Sequence, residues 1–160
     1  MKKIDTRRIA IYGIVAAVYV AVTYACGSLA FMGVQFRISE ALVLLCFYKR
    51  DYIIPLGIGC AIANLNSPML PWDMTVGVLA TVLSLLLISK SKNIFIASIF
   101  PVIINGVAVG VGLYLFFDLP LWLSMAQVAI GEFVCVSLVG IVLFKSLEKN
   151  GSFMKLIKFS

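Results

Sequence analysis

Apolar runs as long as a bilayer is thick follow one another along this chain, at residues 9–30, 74–89, Ile94–Phe117 and Leu121–Leu147. A helix rises about 1.5 Å per residue, so about 20 apolar residues cross a hydrocarbon core about 30 Å thick. With no water in that core, a spanning segment must satisfy its backbone internally, and runs of this length do so as helices. Of the 160 residues, 62% are hydrophobic and 12% charged, which leaves no polar stretch long enough to fold outside the membrane. The expectation is one integral membrane domain over residues 1–160, in contact with lipid throughout.

Two shorter runs, residues 38–48 and 52–65, flank Lys49-Arg50-Asp51 and read as a helical pair, each short for a full crossing. Asn64 to Pro68 and Pro71-Trp72-Asp73 form the next loop, with Asp73 as the cap of the fourth span, and Asp118-Leu119-Pro120 turns the chain between the last two. The fold class is therefore all-α, with six transmembrane helices. Of the 13 basic residues, all but Arg37 fall on the side of the N-terminus: both tails, Lys49 and Arg50, and Lys90 and Lys92. The positive-inside rule then makes both termini cytoplasmic. Lys2, Lys3, Arg7 and Arg8 before an apolar run also resemble a secretory signal. Gly13, Ala17, Ala21 and Ala25, however, align small side chains on one helical face, as in a packed transmembrane helix.

The net charge of +6 sits in loop clusters and not along one polar face, which argues against nucleic acid as a partner. Cys26, Cys46, Cys60 and Cys135 lie in apolar runs without CxxC spacing, and the chain has no histidine, so no zinc site is expected. Nothing calls for a cofactor. Without histidine, and without a serine or cysteine near an evident base, an intramembrane enzyme is poorly supported.

Polar residues within the apolar runs converge on one level. Counted from the nearest basic cluster, Glu40, Asn64, Asn105 and Glu132 stand roughly 15–21 Å into the core. A buried carboxylate there requires compensation, which makes Glu132, with Gln127 and Gly131 nearby, a candidate for a ligand or ion pathway. Arg37 and Glu40 can satisfy each other at i,i+3, Asn105 can serve as interhelical glue, and Asn64 and Asn66 can be turn residues. Trp72 and Trp122 read as an aromatic belt at the outer boundary. The chain carries no nucleotide-binding motif, so ATP-driven transport requires other subunits. A solitary ion-coupled carrier and a subunit that binds no solute remain as other readings.

The segment Val34-Gln35-Phe36-Arg37-Ile38-Ser39-Glu40-Ala41-Leu42, the segment Ile62 to Pro68, Asn105-Gly106 and Gly131-Glu132 together resemble the QueT family, over nearly the whole chain. These are the S components of energy-coupling factor (ECF) transporters for queuosine precursors. The resemblance implies a subunit of a bacterial plasma membrane importer that captures a 7-deazaguanine such as queuine or its aminomethyl or cyano precursor. It also implies a transmembrane coupling subunit and two cytoplasmic ATPases as partners, with Gly13, Ala17 and Ala21 as the docking face. Glu132 would then take the paired N–H edge of the base, with Asn105 or Gln127 beside it, Glu40 facing any ligand cation and Arg37 orienting Glu40. Asn64 and Asn66 complete the candidate site.

Overall fold

A computed structural model describes residues 6–31 and 33–158; Lys2 and Lys3 lie outside the described residues. Helix α1 spans Thr6–Ala25 and stops short of residue 30. Gly27 takes a left-handed φ of +55°, which breaks the helix and sends the chain into a short 3-10 turn at Gly27–Ala30.

The helical pair is present but is not α-helical throughout. Helix α2, Ile38–Tyr48, is a 3-10 helix over Ile38–Leu44 and α-helical only at Leu45–Tyr48. With about three residues per turn, Arg37, Glu40 and Val43 stack on one face. A 3-10 turn at Arg50–Tyr52 leads into α3, Ile53–Asn64.

Helix α4, Leu70–Lys90, begins earlier than residue 74, with Pro71 in its first turn. Asp73 is not its cap, as the sequence had suggested. The preceding cap position is Met69, which makes no side-chain cap bond, and Asp73 opens a wide π-helical segment at Asp73–Gly77 with its carboxylate turned inward to Ser67. Helix α5, Ile94–Phe117, is capped by Asn93, whose side chain accepts from the Phe95 N–H at 2.8 Å. Asp118, at φ +53°, ends it. Helix α6 runs unbroken over Leu121–Leu147, with a π-helical segment at Phe133–Gly140. The basic tail forms a further helix, α7, Gly151–Lys158, which sets Phe153, Leu156 and Ile157 against Lys155 and Lys158.

Among the described residues there is no strand. Helices α1, α4, α5 and α6 are long and apolar enough to cross a membrane. Outward-facing side chains such as Ile54, Leu79 and Val142 are themselves apolar, as lipid-facing surface requires. Inside, α1 packs on α3, α5 packs on both α4 and α6, and the 3-10 part of α2 packs on the π segment of α6. Tyr19, Leu44, Leu56, Leu85, Ile88, Val136 and Phe144 share one core. The two tryptophans differ in exposure. Trp122 is 80% exposed, whereas Trp72 tucks against α5 and donates its indole N–H to the Ala108 carbonyl at 2.9 Å.

The start of α1, the α2–α3 turn, the end of α6 and α7 meet at one end of the bundle. Tyr12 donates to Asp51 at 3.3 Å, Tyr52 to the Ile157 carbonyl at 3.0 Å and Lys49 to the Lys158 carbonyl at 2.8 Å. Glu148 pairs with Lys145 at 3.0 Å and accepts from Tyr48 at 2.9 Å. Although burial pushes its carboxyl up, these two partners prevail and hold it below the usual range.

Candidate functional site

The site begins with a tight turn. Gln35, at φ +45°, lets the Arg37 N–H donate back to the Gln35 carbonyl at 2.9 Å, which aims Arg37 into the bundle just before α2. This turn lies directly on α6. A Cβ added at Gly131 would stand 1.8 Å from the Val34 carbonyl oxygen and 2.8 Å from that of Gln35, so only glycine admits the turn here. The next residue on α6 is Glu132. The Gly131-Glu132 pair therefore seats the turn and presents the acid in consecutive positions.

Arg37 is 8% exposed and Glu40 is 1% exposed. They form the i,i+3 pair, Nε to Oε1 at 3.7 Å. Arg37 Nη2 donates to Asn64 Oδ1 at 2.7 Å, and its guanidinium lies between the Tyr19 and Phe31 rings at 5.7 and 5.9 Å from their centroids. The Tyr19 hydroxyl donates to Glu40 Oε1. Thr23 commits its single proton to the Tyr19 carbonyl at 2.8 Å, so in its 2.6 Å contact with Ser39 the serine is the donor. Asn64 passes the chain onward, its Nδ2 donating to the Asp73 carbonyl at 2.8 Å, while Ser67 donates to the Asp73 carboxylate.

A second pair joins α5 to α6: Asn105 Nδ2 donates to Glu132 Oε1 at 2.8 Å. Glu132 follows Gly131, on which the Val34–Gln35 turn leading to Arg37 is seated. The structure thus brings together Arg37, Glu40 and Asn64 on one side and Asn105 and Glu132 on the other. Asn66 and Gln127 are not in this cluster. Asn66 is exposed, in a cleft of about 440 Å³ that it shares with Tyr24, Phe31 and Pro68. Gln127 is half-buried, in another of about 310 Å³ with Gly33, Val34 and Phe36.

Tyr19, Thr23, Ser39, Ser67 and Asp73 belong to the network and were not expected in it. Tyr19 and Thr23 were detectable as polar groups four residues apart on the face of α1 opposite Ala17. Asp73 was visible as an acid beside an apolar run, but its position in a proline-containing loop just before that run favoured a cap.

Buried polar atoms without a hydrogen-bond partner among the described residues are mostly acceptors: Glu40 Oε2, Glu132 Oε2, Asp73 Oδ1 and Asn105 Oδ1, with Ser124 Oγ and Arg37 Nε beside them. Leaving such groups unpaired in the interior costs about 1–3 kcal/mol each, more when charged. The four unpaired acceptors are complementary to N–H donors. Among the described residues no three histidine, cysteine or acidic side chains are placed to hold a metal ion.

The QueT transporter family model matches residues 9–149, which include both halves of this network. The chain belongs to the QueT transporter family. It is also similar to the queuosine precursor transporter QueT of Lactococcus lactis subsp. cremoris strain MG1363, with 41% identity over 88 residues. That alignment covers 53% of this chain and 51% of the relative, so it spans about half of each. No solved structure matches the chain. The family is described as one of transporters, and the four long apolar helices fit a multi-pass membrane protein.

Proposed function

We propose that this QueT chain is the S component of an ECF importer and binds a 7-deazaguanine precursor of queuosine for uptake. The observation that carries the reading is the buried, acceptor-rich pair Glu132–Asn105, with the turn that leads to the buried Arg37–Glu40 pair seated on the neighbouring Gly131, in a chain of this family. A guanine-like edge presents adjacent N–H donors. Glu132 Oε2 and Asn105 Oδ1 accept such donors in a charge-assisted contact, Glu40 Oε2 accepts from an aminomethyl cation where the ligand has one, and Arg37 orients Glu40. Asn64 holds Arg37, while Asn66 and Gln127 line the approach from the two clefts.

In this reading α2 and α3 complete six membrane crossings within one domain. Their modest length leaves the Arg37 turn and the Asn64 loop within reach of the hydrocarbon core, where the ligand sits. The basic end, with both termini, faces the cytoplasm by the positive-inside rule. Gly13, Ala17 and Ala21 are exposed, and a Cβ at Gly13 would touch nothing within 4 Å. The small-residue face is therefore not packed against the other described residues, which supports its docking on a transmembrane coupling subunit linked to two ATPases.

Reconstituted vesicles test this function. The expected result is accumulation of a 7-deazaguanine only when the coupling module and ATP are both present. Accumulation by the chain alone down an ion gradient would assign a solitary carrier instead.

A further inference from the structure

The last turn of α1 and the loops around it build a second polar feature, at the end of α1 away from the basic N-terminus. Gly27, at φ +55°, folds the chain back after α1, and the Phe31 N–H closes the following 3-10 turn on the Ser28 carbonyl at 3.0 Å. Beside it, α3 ends in a turn whose Ser67 N–H donates to the Asn64 carbonyl at 3.0 Å. Tyr24 ties α1 to α3 by donating its hydroxyl to the Ile62 carbonyl at 3.2 Å. These segments wall the cleft of about 440 Å³, which is lined by Tyr24, Gly27, Ser28, Phe31, Asn66 and Pro68.

The walls specify what the cleft can hold. Tyr24 and Phe31 offer two aromatic rings, on which a flat heteroaromatic base stacks. Ser28 and Asn66, both exposed, add a hydroxyl and an amide, and an amide presents a donor and an acceptor together to the edge of a base. None of the lining residues is charged, so the cleft selects by shape and hydrogen bonding. Its size is that of a small-molecule site. Two residues connect it to the buried network. Phe31 lines the cleft and also covers Arg37, with its ring centroid 5.9 Å from the guanidinium carbon. Asn64 and Asn66 belong to one turn, Asn64 directed inward to Arg37 and Asn66 outward into the cleft.

We propose that this cleft is a separate, outer binding site for a planar nitrogen heteroaromatic base, stacked against Tyr24 and Phe31 and hydrogen-bonded by Asn66. For a 7-deazaguanine it rests on the function proposed above and is the place where the base is held before it reaches Glu132 and Asn105. Phe31→Trp keeps a ring at this wall and serves as a fluorescent reporter, and Glu132→Gln in the same chain weakens the inner site. Titration of this double variant with queuine and with aminomethyl- and cyano-7-deazaguanine, with Glu132→Gln alone as the background for Trp72 and Trp122, should show saturable quenching of the introduced indole by at least one of them. Adding Tyr24→Leu should raise the half-saturating concentration between about fivefold and about a hundredfold. Adding Tyr24→Phe, which keeps the ring and loses only the hydroxyl, should leave it unchanged. Thermal melts matched to wild type confirm folding, and Tyr24→Trp is the second reporter should Phe31→Trp fail to fold. Tight, Glu132-dependent binding in calorimetry without quenching up to the solubility limit of the base would overturn the outer site and leave the inner one standing. Equal effects of Tyr24→Leu and Tyr24→Phe would overturn it as well. Quenching with a calorimetric Kd that Glu132→Gln does not change would support the cleft and remove the inner site instead. Neither heat nor quenching from any of the bases would overturn both.

Discussion

Replacing Glu132 with glutamine exchanges one carboxylate oxygen for an amide NH2 and changes almost nothing in shape. Glu132 is 4% exposed, its Oε1 accepts from Asn105 at 2.8 Å and its Oε2 has no partner. In Glu132→Gln the remaining oxygen keeps the Asn105 bond, and the new NH2 replaces the unpaired Oε2 that the proposed site offers to the ligand's N–H groups. A charge-assisted acceptor thereby becomes a competing donor. Hydrogen bonds to charged groups contribute about 1.5–3 kcal/mol, and each 1.4 kcal/mol is about tenfold. The Kd for a 7-deazaguanine should therefore rise between about tenfold and about a hundredfold. The folded protein loses no internal hydrogen bond and no longer buries that charge, so its melting temperature should stay level or rise. Calorimetric titration and a thermal melt on the same preparation read both quantities. A Kd within twofold of wild type would remove Glu132 from the site, and a lower melting temperature with unchanged Kd would make it a structural acid.

Three other perturbations separate the parts of the network. Arg37→Met leaves Glu40 buried with Tyr19 as its remaining partner; breaking a buried pair costs about 3–5 kcal/mol, and circular dichroism should show a clearly lower melting temperature. Gly131→Ala forces the Val34 carbonyl away from a Cβ at 1.8 Å, so titration should show weakened binding while far-ultraviolet spectra retain the helices. Ala17→Trp lies on the exposed small-residue face, so solute affinity should hold while affinity capture of the coupling subunit is lost.

The long helices were legible because one physical constraint dominates them. About 20 apolar residues bounded by charge have few alternatives in a membrane, and Ile94–Phe117 and Leu121–Leu147 are found as read. The common depth of Asn105 and Glu132 was legible for a related reason, since helix rise fixes depth; that the two bond to each other was not read from the sequence and is seen only in the structure. Depth, however, carries no information about azimuth. Asn66 and Gln127 line separate clefts away from the network, and Tyr19 enters the network because packing of α1 on α3 turns that face inward. Nor does an apolar run reveal its own pitch. The 3-10 form of Ile38–Leu44, which aligns Glu40 with Arg37, depends on packing against the π segment of α6. Asp73 was misread because a cap and a buried network acid have the same local sequence, and only the tertiary position of Ser67 and Asn64 separates them.

The most direct test of solute capture is calorimetric titration of the purified, monodisperse chain with queuine and with aminomethyl- and cyano-7-deazaguanine, using guanine and riboflavin as controls. Saturable binding of at least one 7-deazaguanine, with no comparable heat from riboflavin, is the predicted result. Folded protein that binds none of the three would contradict the assignment of the Glu132–Asn105 and Arg37–Glu40 pairs as a 7-deazaguanine site.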